Sequence, residues 1–261
     1  MKAGKIIAKL AQEYPTSMAM AWDNPGLQVG RIDRSVKKIY VALDATEEVI
    51  ADCIKWGAEL LVTHHPLLMS GVKRITGEDM YGRKILAMAE HGITHYAMHT
   101  NYDVISMSEL AKKALHMKKA EILEVTGALE DGTVCGIGCV GDLPKKTTVK
   151  KYCEQVKKAF GLESVRVFGN PEQEVKRIAI SPGSGKSMIA PALAVGAELF
   201  VTGDIGHHEG LDAVDQGMVI VDAGHYGLEH LFIGQMTEYL QKEFPDLKVK
   251  AAPIQHPFTV L

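Results

Sequence analysis

One segment of the chain occurs twice in recognisable form, and this repeat constrains the fold more than any other sequence feature. KIYVALDATEEVIADCIKWGAELLVTHH begins at Lys38, and RIAISPGSGKSMIAPALAVGAELFVTGD begins at Arg177. Both contain GAEL and then VT in unbroken register, with Gly57 of the first copy corresponding to Gly196 of the second. A match of this length favours duplication over a chance likeness between common supersecondary units.

Each copy has the pattern of a β-α-β unit. An apolar strand, a loop, a helix of about four turns and a glycine are followed by a second apolar strand. Runs that are apolar on both faces are typical of buried parallel strands. A further strand follows in each half, within HGITHYAMHTNYD and QGMVIVDAGHYGLE. The sequence therefore predicts an α/β fold of two related lobes with mostly parallel sheets. Such lobes could face each other across a cleft at the carboxyl ends of the strands.

The repeat also suggests where the chain divides. We expect a first lobe over residues 1–125 and a second over 126–261. The start of the second lobe, TGALEDGTVCGIGCVGD, alternates apolar residues around an Asp-Gly pair, which predicts an antiparallel hairpin. A lysine-rich helix and a short strand around Val165 to Phe168 should follow it.

Composition is that of a globular protein with a sizeable core. Of the 261 residues, 46% are hydrophobic and 23% are charged, and the formal net charge is −3. That charge argues against binding nucleic acid through bulk positive charge, and the lysine runs are typical of a solvated helix face. No apolar run reaches membrane-spanning length and no secretory signal is visible, so we expect a cytoplasmic protein. The four cysteines are scattered and form no CxxC pair.

Polar residues with metal-binding chemistry follow the first repeated strand. His64 and His65 come directly after ELLVT and just before Pro66, which cannot continue a central strand. Adjacent side chains point to opposite faces of a strand, so both histidines can address one site only where the chain leaves the sheet. Each could bind a metal ion; alternatively, they are residues of a polar loop in which one histidine caps a helix.

The next strand of the first half ends in the same way. HYAMHTNYD places His99 and Asp103 at its carboxyl end. A carboxylate there could bridge two cations held about 3.5 to 4 Å apart. A lone aspartate ahead of a helix is, however, more often an N-cap.

The second half carries the matching candidates. His225 and Glu229 of GHYGLEH are four residues apart, so a helix would place them on one face. In GDIGHHEG, Asp204, His207 and His208 lie beside the other strand end. They could hold metal ligands in orientation through hydrogen bonds or donate protons to a substrate, or equally could be residues of a surface loop.

The segment SPGSGKS resembles the end of a phosphate-binding P-loop, but Ile180 stands where that motif requires its first glycine. ATP hydrolysis is therefore not expected at this loop. A glycine-rich turn entering a helix could still bind an anion through backbone N–H groups, which leaves a phosphate-containing small-molecule substrate open.

Six motifs together resemble those of the Nif-three-like family, the GTP cyclohydrolase I type 2 homologues. They are WDNPGLQVG at Trp22, VTHHP at Val62, HTNYD at His99, SPGSGKS, TGDIGHH at Thr202 and GHYGLEH at Gly224. The resemblance extends over essentially the whole chain in the expected order. It implies two α/β lobes, a dinuclear metal site between them and a hexameric ring of dimers. The domain inserted in longer relatives should be absent, because only about fifty residues separate Thr126 from SPGSGKS.

Carried over by motif, the resemblance implies two divalent metal ions per chain, bound by His64, His65, Asp103, His225 and Glu229. With imidazole and carboxylate ligands, zinc, manganese, iron or nickel are all compatible. A metal-dependent hydrolase is the leading expectation, with His99, His207 or His208 protonating the leaving group. The alternative is a non-enzymatic metal-binding scaffold or a regulatory protein that binds partners.

Overall fold

The computed structural model describes all 261 residues, which form two compact units. Unit 1 consists of Met1–Tyr102 and Phe232–Ile254, and unit 2 consists of Asp103–Leu231 and Gln255–Leu261. Each unit thus combines two separate stretches of chain. The lobe boundary after residue 125 stays a prediction about the duplicated halves of the sequence.

Unit 1 is built on a five-stranded sheet with the order β1-β4-β3-β2-β11. Its strands are β1 (Gly26–Val29), β2 (Lys38–Ala42), β3 (Leu60–Thr63), β4 (Thr94–Ala97) and β11 (Lys248–Ala251). Its helices are α1 (Ala3–Glu13), α2 (Glu47–Trp56), α3 (Met80–Glu90), α4 (Thr100–Tyr102) and most of α10 (Leu231–Glu243). Only β1 runs antiparallel to its neighbour, so the sheet is mostly parallel.

The order of residues explains why these elements form. All residues of β3 and β4 are buried, as expected for central strands of a parallel sheet. Helix α2 begins where the Thr46 hydroxyl accepts a hydrogen bond from Val49 N, 3.1 Å away. It ends at Gly57, whose left-handed backbone (φ +75°) is the usual helix C-terminus.

Unit 2 is built on a six-stranded sheet with the order β5-β6-β8-β9-β10-β7. Its strands are β5 (Glu121–Ala128), β6 (Val134–Thr148), β7 (Arg166–Phe168), β8 (Glu174–Ser184), β9 (Leu199–Gly203) and β10 (Val219–Asp222). Its helices are α5 (Ser108–Ala114), α6 (Val149–Phe160), α7 (Ile189–Ala194), α8 (His207–Asp215) and α9 (His225–Glu229). The central strands β8, β9 and β10 are parallel, whereas the outer pairs are antiparallel. The predicted α/β class is therefore confirmed.

The structure also contains the elements predicted between the two repeats. Strands β5 and β6 form the antiparallel hairpin, with a turn in which Leu129 N donates to Thr133 O and Gly132 adopts φ +84°. The lysine-rich helix is α6, and the short strand that follows it is β7.

The duplication is visible in the strand register. Ile39 lies opposite Leu60 in the first copy, and Ile178 lies opposite Leu199 in the second, at the same sequence offset. The carboxylate of Glu59 accepts hydrogen bonds from the backbone N–H groups that open β2, those of Lys37 and Lys38. Glu198 repeats this contact with the backbone N–H groups of Lys176 and Arg177. The glutamate of the shared GAEL motif therefore fixes the start of the neighbouring strand in both copies.

None of the helices combines the length and the apolar surface that crossing a membrane requires.

Candidate metal centre

His64 and His65 lie where β3 leaves the sheet of unit 1, as predicted. His64 is fully buried, and its Nδ1 donates to the carbonyl oxygen of Met98 at 2.8 Å. His65 Nδ1 donates to Asp44 Oδ1 at 2.7 Å. A ring that donates from Nδ1 presents Nε2 as the metal-binding nitrogen, and such contacts fix both tautomer and ring direction.

His99 joins these two histidines in unit 1. The candidate ligand nitrogens of His64, His65 and His99 all lie within 4.8 Å of one another. His99 Nδ1 donates to Asp23 Oδ1 at 2.7 Å, and the Trp22 ring stands edge-on to His99 with 5.8 Å between centroids. The first half thus gathers three imidazoles that could hold a metal ion.

The carboxylate that orients His99 is buried and ionised. Burial would raise the pKa of Asp23, but hydrogen bonds from His99 and from the hydroxyl and backbone N–H of Thr100 outweigh it and bring the pKa to about 2. Asp23 therefore remains a strong acceptor for His99 at neutral pH.

Asp103 does not cap a helix, so the N-cap interpretation of this residue is wrong. The helix begins at Thr100, and Asp103 is the first residue of a π-helical turn that runs to Met107. Isolated π turns within helices often occur at functional sites because they shift the direction of the side chains. Asp103 belongs to unit 2 and is half-buried.

His225 and Glu229 of unit 2 are in direct contact. They occupy the two ends of α9, and His225 Nε2 lies 2.8 Å from Glu229 Oε2, as predicted for residues one helical turn apart. Glu229 is buried. His225 Nδ1 donates to Asp204 Oδ2 at 3.0 Å, so this ring is oriented by a carboxylate in the same way as His65 and His99.

His207 and His208 lie at the exposed start of α8, with their ring centroids 5.2 Å apart. Their catalytic role stays a prediction. Lys186 of the SPGSGKS segment forms an ion pair with Glu209, which also belongs to α8 as His207 and His208 do. Lys186 itself begins a short 3₁₀ turn, Lys186–Met188, whereas a P-loop is followed by a long helix.

The family model described as Duf34/NIF3 (NGG1p interacting factor 3) matches residues 1–257. The chain belongs to the Duf34/NIF3 family. A relative from Clostridium perfringens, named GTP cyclohydrolase 1 type 2 homolog, is 33% identical over 244 residues, covering 93% of this chain and 92% of the relative. The crystal structure of a Staphylococcus aureus hypothetical protein superposes with a TM-score of 0.90 at 28% identity, covering 100% of this chain and 99% of that one.

A crystal structure of a Bacillus cereus protein related to NIF3 has a TM-score of 0.91. It is 23% identical and covers 100% of this chain and 99% of its own, and at that identity it supports the fold alone. These comparisons confirm the predicted family.

The donor set of this Duf34/NIF3 protein fits divalent metal ions. Its imidazole nitrogens and carboxylate oxygens suit zinc, manganese, iron or nickel, and no thiolate is among them. His64, His65 and His225 each direct Nδ1 to a protein oxygen, and this pattern is typical of histidines that bind metal through Nε2.

Gly183 leaves the space that Glu229 occupies. A Cβ atom at position 183 would lie 2.3 Å from Glu229 Oε1 and 3.8 Å from His225 Nε2. Gly183 also has φ +83°, a conformation that other residues rarely adopt. The backbone of the SPGSGKS segment thus approaches the candidate ligands closely.

Asp23, Asp44 and Gly183 contact the candidate ligands without having been predicted as site residues. Asp23 belongs to the WDNPG motif, which by itself indicates no role for this carboxylate. Asp44, two residues after β2, and Gly183, near the end of β8, occupy equivalent positions of the two repeats. That equivalence is the signal that could have identified them.

Proposed function

We propose that this Duf34/NIF3 protein is a metal-dependent hydrolase that binds two divalent metal ions through His64, His65, Asp103, His225 and Glu229. The observation that carries the proposal is the common orientation of the three histidines. In each, Nδ1 donates to a carbonyl or carboxylate oxygen, which leaves Nε2 as the donor for a metal. His91 makes the same Nδ1 contact at an exposed helix end, so the pattern supports a metal site only where candidate ligand atoms also gather, as those of His64 and His65 do.

The two carboxylates support the same proposal. Glu229 is buried, and a buried carboxylate is costly unless a positive charge or hydrogen-bond donors compensate it. Asp103 opens a π-helical turn and has no capping role. In the proposed site Asp103 and Glu229 would both hold the metal ions, with Glu229 beside His225.

Bound divalent ions would act as Lewis acids and would lower the pKa of a water molecule, which makes it a better nucleophile toward a polarised bond. The protein's own contribution is to move a proton. His99 donates from Nδ1 to ionised Asp23, so its Nε2 can accept a proton and then pass it to a leaving group, while the Asp23 carboxylate stabilises the imidazolium. The Asp23–His99 pair therefore has the arrangement of a general acid and base.

Asp103→Asn is the most discriminating test of the ligand set, because asparagine has the same size but is a poor bridge between cations. We expect elemental analysis to find two metal ions per wild-type chain and at most one in the variant. The control is Asp246→Asn at an exposed site, which should retain both. Two ions bound to Asp103→Asn with wild-type affinity in calorimetric titration would refute the assignment.

Activity is a separate question from metal content. The name shared by the relatives points to nucleotides, so a substrate screen should include them beside phosphoesters and cyclic amides. We expect metal-dependent turnover that falls at least tenfold in His99→Gln, while metal content is retained. A fully loaded protein without any turnover in the screen would favour the scaffold alternative.

A further inference from the structure

A cavity of about 310 Å³ opens in unit 2 next to the loop that carries His225. Asp204, the hydrogen-bond partner of His225, and Gly224, its chain neighbour, both line it. Small-molecule sites have volumes of about 300 Å³ and more, so this cavity has room for a compact ligand of one or two rings.

The polar side chains that line the cavity are those of Ser164, Arg166, Asp204 and Asp222. Arg166 forms an ion pair with the buried carboxylate of Asp222, and its Nη2 also donates to the carbonyl oxygen of Ile205 at 3.4 Å. The Arg166 side chain is nevertheless 67% exposed. Both contacts, with Asp222 and with Ile205, are made by Nη2 of Arg166, and they hold the guanidinium in place. The other N–H groups of this guanidinium can therefore donate to a ligand in the cavity that Arg166 lines.

Asp204 supplies the acceptor on the same wall. It precedes Ile205, and its Oδ2 receives the hydrogen bond from His225, yet its side chain is 55% exposed. Asp204 has φ +57°, which is uncommon for a residue other than glycine. Strained backbone of this kind concentrates at ligand-binding sites.

An apolar part of the lining comes from the segment Gln255–Leu261. The side chains of Phe258 and Val260 line the cavity, although they are 63% and 62% exposed. Phe258 reaches Gly224: its ring is 3.7 Å from where a Cβ atom on that glycine would stand. The segment is anchored upstream, where Gln255 N donates to the Tyr226 hydroxyl at 3.0 Å.

We propose that this cavity binds a planar heteroaromatic ring that carries an N–H donor beside a carbonyl acceptor. The ring would stack on Phe258, its N–H would donate to Asp204, and its carbonyl would accept from Arg166. Arg166 and Asp222 offset each other's charge, so the wall presents hydrogen-bond donors from Arg166 and an acceptor from exposed Asp204, which favours a ligand that carries both an acceptor and a donor. The site goes beyond the proposed hydrolase function, because none of these contacts requires a metal ion.

The pair 2-pyridone and N-methyl-2-pyridone tests this recognition. Both rings are planar and carry the carbonyl, but only 2-pyridone has the N–H donor. Ligand-observed NMR titration on the purified full-length chain should give at least fivefold weaker binding for the N-methyl compound. Equal binding of the two compounds, or no binding of 2-pyridone at millimolar concentration, would overturn the proposal.

Two exposed apolar residues provide matched variants. Phe258→Ala should weaken 2-pyridone binding about tenfold, in line with the loss of one stacking partner. Ile254→Ala removes a side chain of similar exposure that does not line the cavity, and it should leave binding unchanged. Equal effects of the two substitutions would place the ligand elsewhere.

Chelation separates this proposal from the metal proposal. We expect 2-pyridone to bind equally well before and after the metal is removed with a chelator, because the cavity is lined by the protein alone. Binding that disappears on chelation would show coordination of the ring to the metal and would overturn the cavity assignment. If the purified protein contains no metal, the expected binding of 2-pyridone is the same.

Discussion

At the scale of single residues, the candidate site depends on small contacts around the ligands as much as on the ligands themselves. Hydrogen bonds from Nδ1 orient His65, His99 and His225, and each accepting carboxylate comes from a different loop. Gly183 contributes by lacking a side chain, because any Cβ would collide with Glu229.

Gly183→Ala should therefore impair metal binding in addition to straining the backbone. An alanine at φ +83° costs about 1 to 2 kcal/mol of folding free energy. Gly217→Ala is the matched control, since Gly217 has φ +89° and open space where a Cβ would stand. Gly183→Ala should lose at least as much stability in urea as Gly217→Ala, because its Cβ also meets Glu229, and only Gly183→Ala should show weaker metal binding by calorimetry. Equal metal affinity in the two variants would argue against close contact between position 183 and Glu229.

The buried His95 makes stability depend on pH. Its Nε2 lies 2.7 Å from the Thr63 hydroxyl, and complete burial, with a small effect of Lys84, lowers its pKa from 6.5 to about 3. Below about pH 6.5, His95 binds a proton in the unfolded chain but stays neutral in the folded chain until the pH approaches 3. Stability should consequently fall by up to about 1.4 kcal/mol per pH unit as the pH drops from about 6.5 toward 3.

Urea unfolding of the metal-free protein between pH 7.5 and 4.5 checks this slope. His95→Gln should flatten the dependence, because glutamine does not titrate. His91→Gln replaces an exposed histidine and should retain the wild-type slope. An unchanged slope in His95→Gln would show that His95 is not responsible.

At the scale of elements, equivalent hydrogen bonds from backbone N–H groups to a glutamate hold the strands of both repeats in register. Glu59 and Glu198 each accept two backbone N–H groups at the start of a neighbouring strand. The hydrogen bonds from Arg177 N and Lys176 N lower the pKa of Glu198 below 4.5. The ionised carboxylate is therefore the form that stabilises the sheet.

Glu198→Gln should destabilise the protein by roughly 1 kcal/mol at pH 7, because charge-assisted hydrogen bonds become neutral ones at a largely solvated site. A lowered folded pKa gives stability that is present above pH 4.5 and lost as the pH falls. The difference between wild type and variant should accordingly shrink below pH 4.5. Glu163→Gln, at an exposed position, is the control and should be neutral in the same denaturation series.

At the scale of the whole molecule, the proposed ligands come from both compact units. His64 and His65 belong to unit 1, whereas Asp103, His225 and Glu229 belong to unit 2. Metal bound by this set would stabilise the folded chain by mass action.

Removing the metal should lower the melting temperature. Metal at a hundredfold excess over its Kd contributes about 2.7 kcal/mol, which corresponds to a shift of roughly 5 to 10 °C for a chain of this size. Differential scanning calorimetry with and without a chelator measures this shift. Asp103→Asn should show a much smaller one, and an equal shift in the variant would mean that the stabilising ion binds elsewhere.

The sequence alone determined the α/β class, the duplication and the family. Hydrophobic periodicity and the shared GAEL motif are local signals, and strands such as β3 and β9 can be read directly from them. The hairpin of β5 and β6 was predictable for the same reason, since alternating residues flank an Asp-Gly turn. The spacing of His225 and Glu229 likewise predicted their contact, because one helical turn fixes it.

Only the tertiary structure decided which other residues support the candidate ligands. Asp23 is 76 positions from His99, so nothing local in the sequence indicates that contact. Asp204 was a sequence candidate for orienting a ligand, but only the structure pairs it with His225, 21 positions away. The role of Asp103 was also undecided, because an aspartate near a predicted helix start is usually a cap, and only the helix start at Thr100 excluded that role. Contacts between distant segments depend on how strands and loops pack in three dimensions, which residue patterns along the chain do not encode directly.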